Sequence, residues 1–166
     1  MEDSFKKVLF KYHSNVLDKE VKETMWALEV DAEKGHYQLD SIPFYGASIA
    51  TNDIFKATFD ELEGFLVYEN TVTTSENSIV LVIITDEMSD GKLLQQAFKN
   101  RHCDSEALND AYFSMEILKS VDYRLIKELL DDYETQGTIN HAEPCLSKKH
   151  REDLQKLDES NEKTSS

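Results

Sequence analysis

The sequence has few of the residues that build recognisable chemical motifs. Its 166 residues include two cysteines, two prolines and five glycines. Two cysteines form no disulfide framework, so a reducing, cytoplasmic location is expected. The glycines are scattered and form no phosphate-binding loop, which argues against a nucleotide site.

The sequence also lacks long apolar runs and an excess of positive charge. The longest aliphatic run covers residues 79–84, far below the about 20 residues that a membrane-spanning helix needs. Lysine and arginine number 18 against 33 aspartates and glutamates, which gives a net charge of −15. This charge repels phosphate backbones and anionic lipid headgroups, so neither nucleic acid nor a membrane is an expected partner. It would instead speed encounter with a basic protein.

The first half of the chain has the alternation that is typical of half-buried strands. Trp26, Leu28 and Val30, for example, share one face, whereas Met25 and Ala27 point the other way. This period of two predicts strands at residues 8–13, 24–30, 36–39, 53–59 and 65–73. The last two form a hairpin that turns at residues 61–64.

The second half mixes strand and helix patterns. Residues 78–85 are predicted to form a strand whose residues 79–84 are all aliphatic, as expected for a strand that is buried on both faces. The remaining patterns predict a helix around residues 93–98, a strand at 113–117, a helix over 125–133 and a strand at 138–143. Asp122 is placed to cap the second helix, Gly137 to end it, and Pro144 to stop the last strand.

We therefore predict one α+β domain over residues 1–146. Residues 5–75 form a strongly twisted β-meander or partial barrel, and residues 78–144 form a ferredoxin-like β-α-β-α-β segment. From residue 147 the sequence has dense mixed charge and few apolar residues. Such a composition cannot bury enough surface to fold alone, so residues 147–166 are predicted to be a charged, flexible tail, with a frayed helix over residues 148–157 as the alternative.

The segment YQLDSIPFYGASI, residues 37–49, interrupts the strands. Pro43 has no N–H to donate, so a strand must end or lie at a sheet edge there. We interpret the segment as a sheet corner, at which the chain changes direction and Phe44 packs in the core. The alternative is an aromatic groove beside Tyr37, Phe44 and Tyr45, which would make the protein a small-molecule-binding or regulatory domain.

The same region carries a resemblance to a known family. Trp26 in TMWALEV, then YQLDSIPFY, then a hairpin that begins NDIF resemble the bacterial domain-of-unknown-function family 4265. Its members have an acidic residue before the Trp, as Glu23 is here, and a Tyr-x-Leu-x-x-Ile-Pro-Phe segment. They open the hairpin with Gly-Asp, where this chain has Asn52-Asp53. The resemblance covers most of residues 5–145 and implies a fold but no activity.

No catalytic or metal site is predicted. His102 and Cys103 are sequence neighbours, and adjacent side chains rarely face each other well enough for a base to activate a thiol. The hydrolase motifs Gly-x-Ser-x-Gly and His-Glu-x-x-His are missing from the sequence. For zinc the best candidates are His102, Cys103, His141 and Cys145, but the first two are too close to be two corners of a tetrahedron. We therefore expect no enzyme activity, no metal and no cofactor. The alternative that stays open is a Ser/His/Asp triad assembled from distant loops, because a triad is defined by its geometry and not by its spacing in sequence.

Two acidic clusters are the remaining candidates for function. One lies at the end of the second helix and the other at the hairpin tip: Asp131, Asp132 and Glu134, and Asp60, Glu61 and Glu63. Negative charge near a helix C-terminus opposes the helix dipole, so a partner would explain its presence. Small acidic proteins of this kind also resemble the immunity partners of bacterial toxins. We predict a non-enzymatic protein-binding domain, most specifically an immunity-type protein that neutralises a cognate toxin through its acidic surface.

Overall fold

The structure is a computed structural model that describes the backbone of residues 4–164 and the side chains of residues 4–156. Over these residues the chain forms the following nine strands and three helices: β1 (Phe5–Ser14), β2 (Lys19–Asp31), β3 (His36–Leu39), β4 (Ile54–Asp60), β5 (Phe65–Thr73), β6 (Ser78–Ile84), α1 (Gly91–Lys99), β7 (Ser105–Asn109), β8 (Tyr112–Ile117), α2 (Tyr123–Thr135), β9 (Ile139–Cys145) and α3 (Lys148–Thr164). Within this part of the chain, none of the helices combines the length and the apolar character needed to cross a membrane.

The first five strands close into a barrel. Each strand pairs antiparallel with the next along the chain, and β1 also pairs in parallel with β5, which closes the ring. The period-two pattern of β2 places Met25 and Ala27 in the barrel core, whereas Trp26 lies on the outer surface and is 52% exposed. The predicted N-terminal β-meander is therefore confirmed, and its ring is complete.

The remaining strands form a four-stranded antiparallel sheet in the order β7-β8-β6-β9. With α1 and α2 between them, the elements follow the ferredoxin-like order β-α-β-β-α-β. Val80 and Val82 of the central strand β6 pack in a core with the helices, whereas Ile79 and Leu81 pack with Ala50 from the segment after the barrel strand β3. Residues 79–82 of β6 are thus buried on both faces, and the α+β class is confirmed.

Two details of the sheet differ from the sequence prediction. The edge strand β7 adds a fourth strand, and its side chains are mostly exposed, so it lacks an alternating apolar pattern. At the opposite edge, β9 includes Pro144 and continues to Cys145. The missing N–H of Pro144 is tolerated because β9 is an edge strand whose pairing with β6 shifts register between Ile79 and Leu81.

The C-terminal segment also differs from the predicted flexible tail. It forms α3, whose first turns are fixed to the domain by buried polar side chains. His150 is fully buried between the Ser78 hydroxyl, at 2.6 Å, and the Leu118 carbonyl, at 3.0 Å. Asp153 is 4% exposed and accepts a hydrogen bond from the N–H of Tyr123 at the start of α2. Polar contacts, which composition does not reveal, dock this helix.

Candidate functional site

The second helix presents an acidic surface to solvent. Its Asp122 cap accepts a hydrogen bond from the N–H of Arg124, as the sequence predicted. One face of the helix is buried in the core, and the other exposes three acids, which we call the acidic face: Glu128, Asp131 and Asp132. The last turn of α2 contains no basic residue. Negative charge therefore accumulates at the end of the helix where the dipole is already negative.

Glu134, the third acid of this predicted cluster, is used inside the protein. Its carboxylate accepts hydrogen bonds from the backbone N–H of His141, at 2.8 Å, and from the ring Nδ1 of the same residue, at 2.6 Å. Burial alone would raise the pKa of Glu134, but these two hydrogen bonds and the nearby positive charge lower it. Glu134 thus ties α2 to β9.

A chain of hydrogen bonds continues behind Glu134. Lys127 Nζ lies 2.9 Å from His141 Nε2 and 3.2 Å from a carboxylate oxygen of Glu143, which also accepts from the Tyr123 hydroxyl. A lysine ammonium can only donate, so Nε2 of His141 accepts and Nδ1 carries the proton that it donates to Glu134. One arrangement of protons therefore satisfies every hydrogen bond in this series. The residues thus have a structural role.

Asp131, Glu134 and His141 lie close enough together to suggest a metal site, since their ligand atoms lie within 4.8 Å of one another. Both ring nitrogens of His141 are already engaged, one by the Lys127 ammonium and the other through its proton to Glu134. A metal ion would have to displace that proton while the Lys127 ammonium remains hydrogen-bonded to the other nitrogen of the same ring. The donor set fits a hydrogen-bonded chain and does not fit a metal ion.

The other residues considered for zinc or catalysis are separated in the fold. His102 and Cys103 follow α1, whereas Cys145 belongs to β9 and packs on the barrel side of the sheet. Cys103 is fully buried, and burial raises the pKa of its thiol to about 12. Burial raises the pKa of Cys145 to about 12 as well. Neither thiol is poised to form the reactive thiolate.

One serine–histidine pair was missed by sequence reasoning. Ser78 and His150 are separated by 72 positions in sequence, and their side chains are hydrogen-bonded at 2.6 Å. His150 Nε2 faces the Leu118 carbonyl, so it carries the proton and Nδ1 accepts from the serine hydroxyl. Such a pair resembles a nucleophile and its base, but both side chains have no exposed surface. It therefore holds α3 in place.

The predicted hairpin-tip cluster is also partly neutralised. Asp60 accepts from the backbone N–H groups of Leu62, at 2.9 Å, and Glu63, at 3.2 Å, and so shapes the turn. Glu63 contacts Lys11 at 3.2 Å and Lys22 at 3.5 Å. The hydrogen bond from Lys11 lowers the pKa of Glu63, with a further contribution from Lys22. Glu61 is the acid of this tip that remains exposed.

The three residues of the predicted aromatic groove differ in their surroundings. Tyr37 is 6% exposed and stacks on Phe55 inside the barrel, with ring centroids 6.0 Å apart. Phe44 and Tyr45 lie in the segment after β3 and contact each other, with centroids 6.3 Å apart. Tyr37 thus belongs to the barrel core, whereas Phe44 and Tyr45 are only partly buried.

Glu23 fixes that segment, and sequence reasoning assigned it no contact. It is 6% exposed and accepts hydrogen bonds from the Tyr12 hydroxyl, at 2.7 Å, and from the N–H of Phe44, at 2.8 Å. The Tyr112 hydroxyl, from the second sheet, donates to the carbonyl of Phe44. Burial raises the pKa of Glu23 against the effect of these hydrogen bonds. The alternation of β2 could have indicated this burial, because Glu23 occupies the same inward face of the strand as Met25.

Comparisons with known proteins identify a family and a fold. A family model described as a domain of unknown function (DUF4265) matches residues 23–141. The chain is also similar to a crystal structure of a hypothetical protein from Neisseria gonorrhoeae. The two share 18% sequence identity with a TM-score of 0.73, and the match covers 86% of this chain and 95% of the other. None of the curated proteins matches the chain.

Proposed function

The chain belongs to the DUF4265 family, whose description assigns no activity, and we propose that it acts as a non-enzymatic protein-binding domain. The binding surface is the acidic face of α2. The single observation that carries this proposal is the exposure of Asp131 and Asp132 at the end of a helix whose last turn has no basic residue. These charges lower the stability of the helix, and a basic partner would offset that cost.

The contrast with the other predicted acids supports this choice of surface. Glu134 and Glu63 have cationic or histidine partners within the chain, and Asp60 shapes a turn. These three acids therefore stabilise the fold through contacts within the chain. Asp131 and Asp132 instead face solvent, where they can add to the long-range attraction exerted by a net charge of −15.

A non-enzymatic role is supported by the state of the candidate nucleophiles. The two thiols have raised pKa values, and the Ser78 hydroxyl is fully buried. Within protein binding, we propose an immunity-type role, in which the acidic face occupies the basic surface of a cognate toxin. Acidic side chains can take the place of nucleic-acid phosphates on such a surface, which would block a nuclease toxin.

The test is capture of partners from a lysate of the organism that encodes the protein. The immobilised wild-type protein should retain a basic protein that elutes only at high salt. The variant Asp131→Lys/Asp132→Lys should lose it, because the charge of the binding surface is reversed. The matched control is Glu33→Lys/Glu87→Lys, which makes the same change in net charge at two other exposed acids. Equal capture by both variants would rule out the acidic face.

The immunity-type role requires one more result. The captured protein should have a toxic activity, such as nuclease activity, that the wild-type protein inhibits and the Asp131→Lys/Asp132→Lys variant does not. A captured partner whose activity is unaffected by binding would retain the protein-binding proposal and contradict neutralisation.

A further inference from the structure

A cavity of about 420 Å³ lies at one end of the ferredoxin-like layer. It is walled by residues 100–102, from the loop between α1 and β7, and by Leu118 and residues 120–122, from the loop between β8 and α2. The first turns of α2 complete the wall. We propose that this cavity binds a small organic anion that carries one carboxylate on an apolar body.

The cavity has an apolar wall that is incompletely covered. Leu118 and Leu125 line it and are 37% and 51% exposed, respectively. Val121 and Ile126 line it as well, and Ile126 belongs to the core beneath. An apolar ligand body would remove these leucine side chains from water, which supplies the driving force for binding.

The polar residues of the cavity leave one cation available. Asp122 is ion-paired with Arg124 at 2.6 Å, and the hydrogen bond from that guanidinium lowers the pKa of Asp122. The Arg101 guanidinium donates to the carbonyl of Leu125 at 3.5 Å, and no carboxylate of the described residues lies within ion-pair distance of it. Arg101 can therefore donate further N–H groups to a bound carboxylate.

His102 is held at the same wall in a strained backbone conformation. Its φ angle is 68°, and its N–H and that of Cys103 donate to the carbonyls of Lys99 and Phe98, as in the Schellman motif. Glycine is the usual residue at this position because a Cβ is unfavourable there. His102 lines the cavity, so its ring N–H can donate to a bound carboxylate.

These features together define the class of ligand. A volume of about 420 Å³ is within the range of small-molecule sites. One guanidinium and one imidazole beside an apolar wall match a monocarboxylate with an alkyl or aryl body. They do not match a di- or triphosphate, which would need more cations than this wall provides.

The test is a titration of the ¹⁵N-labelled full chain with octanoate, followed by the shifts of its amide NMR signals. The amides of Ser120, Val121 and Leu125 should shift saturably, with a dissociation constant of about 1 mM for a ligand of this size. Acetate lacks the apolar body and octanamide lacks the charge, so each should bind at least about fivefold more weakly. No saturable shift with octanoate, or equal affinity for octanamide, would overturn the proposal.

Two variants locate the site. Arg101→Gln removes the cation from an exposed side chain and should weaken octanoate binding about fivefold. Lys119→Gln makes the same change in net charge at an exposed residue that does not line the cavity, so it should bind like the wild type. Equal binding by Arg101→Gln and the wild type would contradict the proposal.

The inference is independent of the proposed protein binding. Asp131→Lys/Asp132→Lys changes residues outside the cavity wall, so it should leave octanoate affinity within about twofold, given screening by salt. Weaker octanoate binding by Arg101→Gln with capture of the basic partner retained, and the converse for the acidic-face variant, would separate the two activities.

Discussion

At the scale of single residues, buried polar groups join the parts of this molecule. Glu23 connects the barrel to the segment that carries Phe44, and Tyr112 reaches the same segment from the second sheet. His150 connects α3 to Ser78 and Leu118. Buried polar groups stabilise a fold when each has a partner, because an unsatisfied one costs its full desolvation energy. Substitutions at Glu23 and His150 should therefore have effects much larger than those at exposed acids.

We expect Glu23→Ala to lower the free energy of unfolding by about 2 kcal/mol. The substitution leaves the Tyr12 hydroxyl and the Phe44 N–H without their acceptor in a buried site. Urea denaturation measures the change, with Glu20→Ala as the control, because Glu20 lies on the same strand with its side chain 82% exposed. A loss of less than about 0.5 kcal/mol for Glu23→Ala, as expected for a surface site, would contradict this role.

The second residue-scale prediction concerns pH and His150. Burial lowers its pKa in the folded protein, whereas in the unfolded chain the imidazole has its ordinary pKa near 6.5. Below pH 6.5 the unfolded state thus binds more protons, and the free energy of unfolding falls with falling pH until the folded-state pKa is passed. The slope reaches at most about 1.4 kcal/mol per pH unit.

Urea denaturation between pH 7.5 and pH 5 tests this dependence, above the range where most carboxylates titrate. His150→Gln should be less stable at neutral pH but should show a flatter pH dependence. His13→Gln, on the exposed outer face of the barrel, should keep the fall seen in the wild type. An unchanged slope in His150→Gln would mean that another group carries the pH dependence.

Residue roles of this kind were only partly predictable from sequence. The cap at Asp122 was predicted because capping depends on neighbours along the chain. The contacts of Glu23, Ser78 and His150 were missed because their partners lie 21 and 72 positions away. Likewise, Tyr37 was grouped with Phe44 and Tyr45 by proximity in sequence, whereas strand alternation turns it into the barrel core. Proximity in sequence does not specify which side of a strand a residue faces.

At the scale of elements, local periodicity was sufficient to predict a strand or helix that buries at least one of its faces. The strong alternation of β2 and the aliphatic run of β6 predicted both strands, and the apolar stripe of α2 predicted that helix. The edge strand β7 has four exposed residues out of five, so it gave no pattern to detect. Helix α3 was predicted as a flexible tail because its composition is polar, and its docking depends on a few buried polar side chains.

The docking of α3 leads to the third prediction. Asp153→Ala removes the acceptor for the Tyr123 N–H, at 3.0 Å, and for Lys149, at 2.8 Å. It should lower the free energy of unfolding by about 2 kcal/mol, because a buried N–H at the start of α2 loses its partner. Hydrogen exchange should show reduced protection of the Tyr123 amide.

The neighbouring acid provides the control for that experiment. Glu152 is exposed and lies 4.0 Å from Lys148 in an ion pair within α3. Exposed pairs of this type contribute little, so Glu152→Ala should change the free energy of unfolding by less than about 0.5 kcal/mol. Equal effects of the two substitutions would show that α3 is not held by Asp153.

At the scale of the whole molecule, two surfaces differ in charge. The acidic face lies on α2 toward its C-terminus, and the cavity with Arg101 lies beside the N-terminus of the same helix. Only the first was predictable, since a net charge of −15 and a run of acids can be counted in the sequence. The cavity joins two loops that are distant in sequence, so only the fold reveals it.

The central claim is that the acidic face of α2 binds a basic protein. The most direct measurement is the association rate constant of the captured partner with the wild type and Asp131→Lys/Asp132→Lys over a series of salt concentrations. We expect association with the wild type to slow steeply with salt, whereas the variant should associate about tenfold more slowly at low salt and with a flatter salt dependence. Equal rates and equal salt dependence for the two proteins would contradict it.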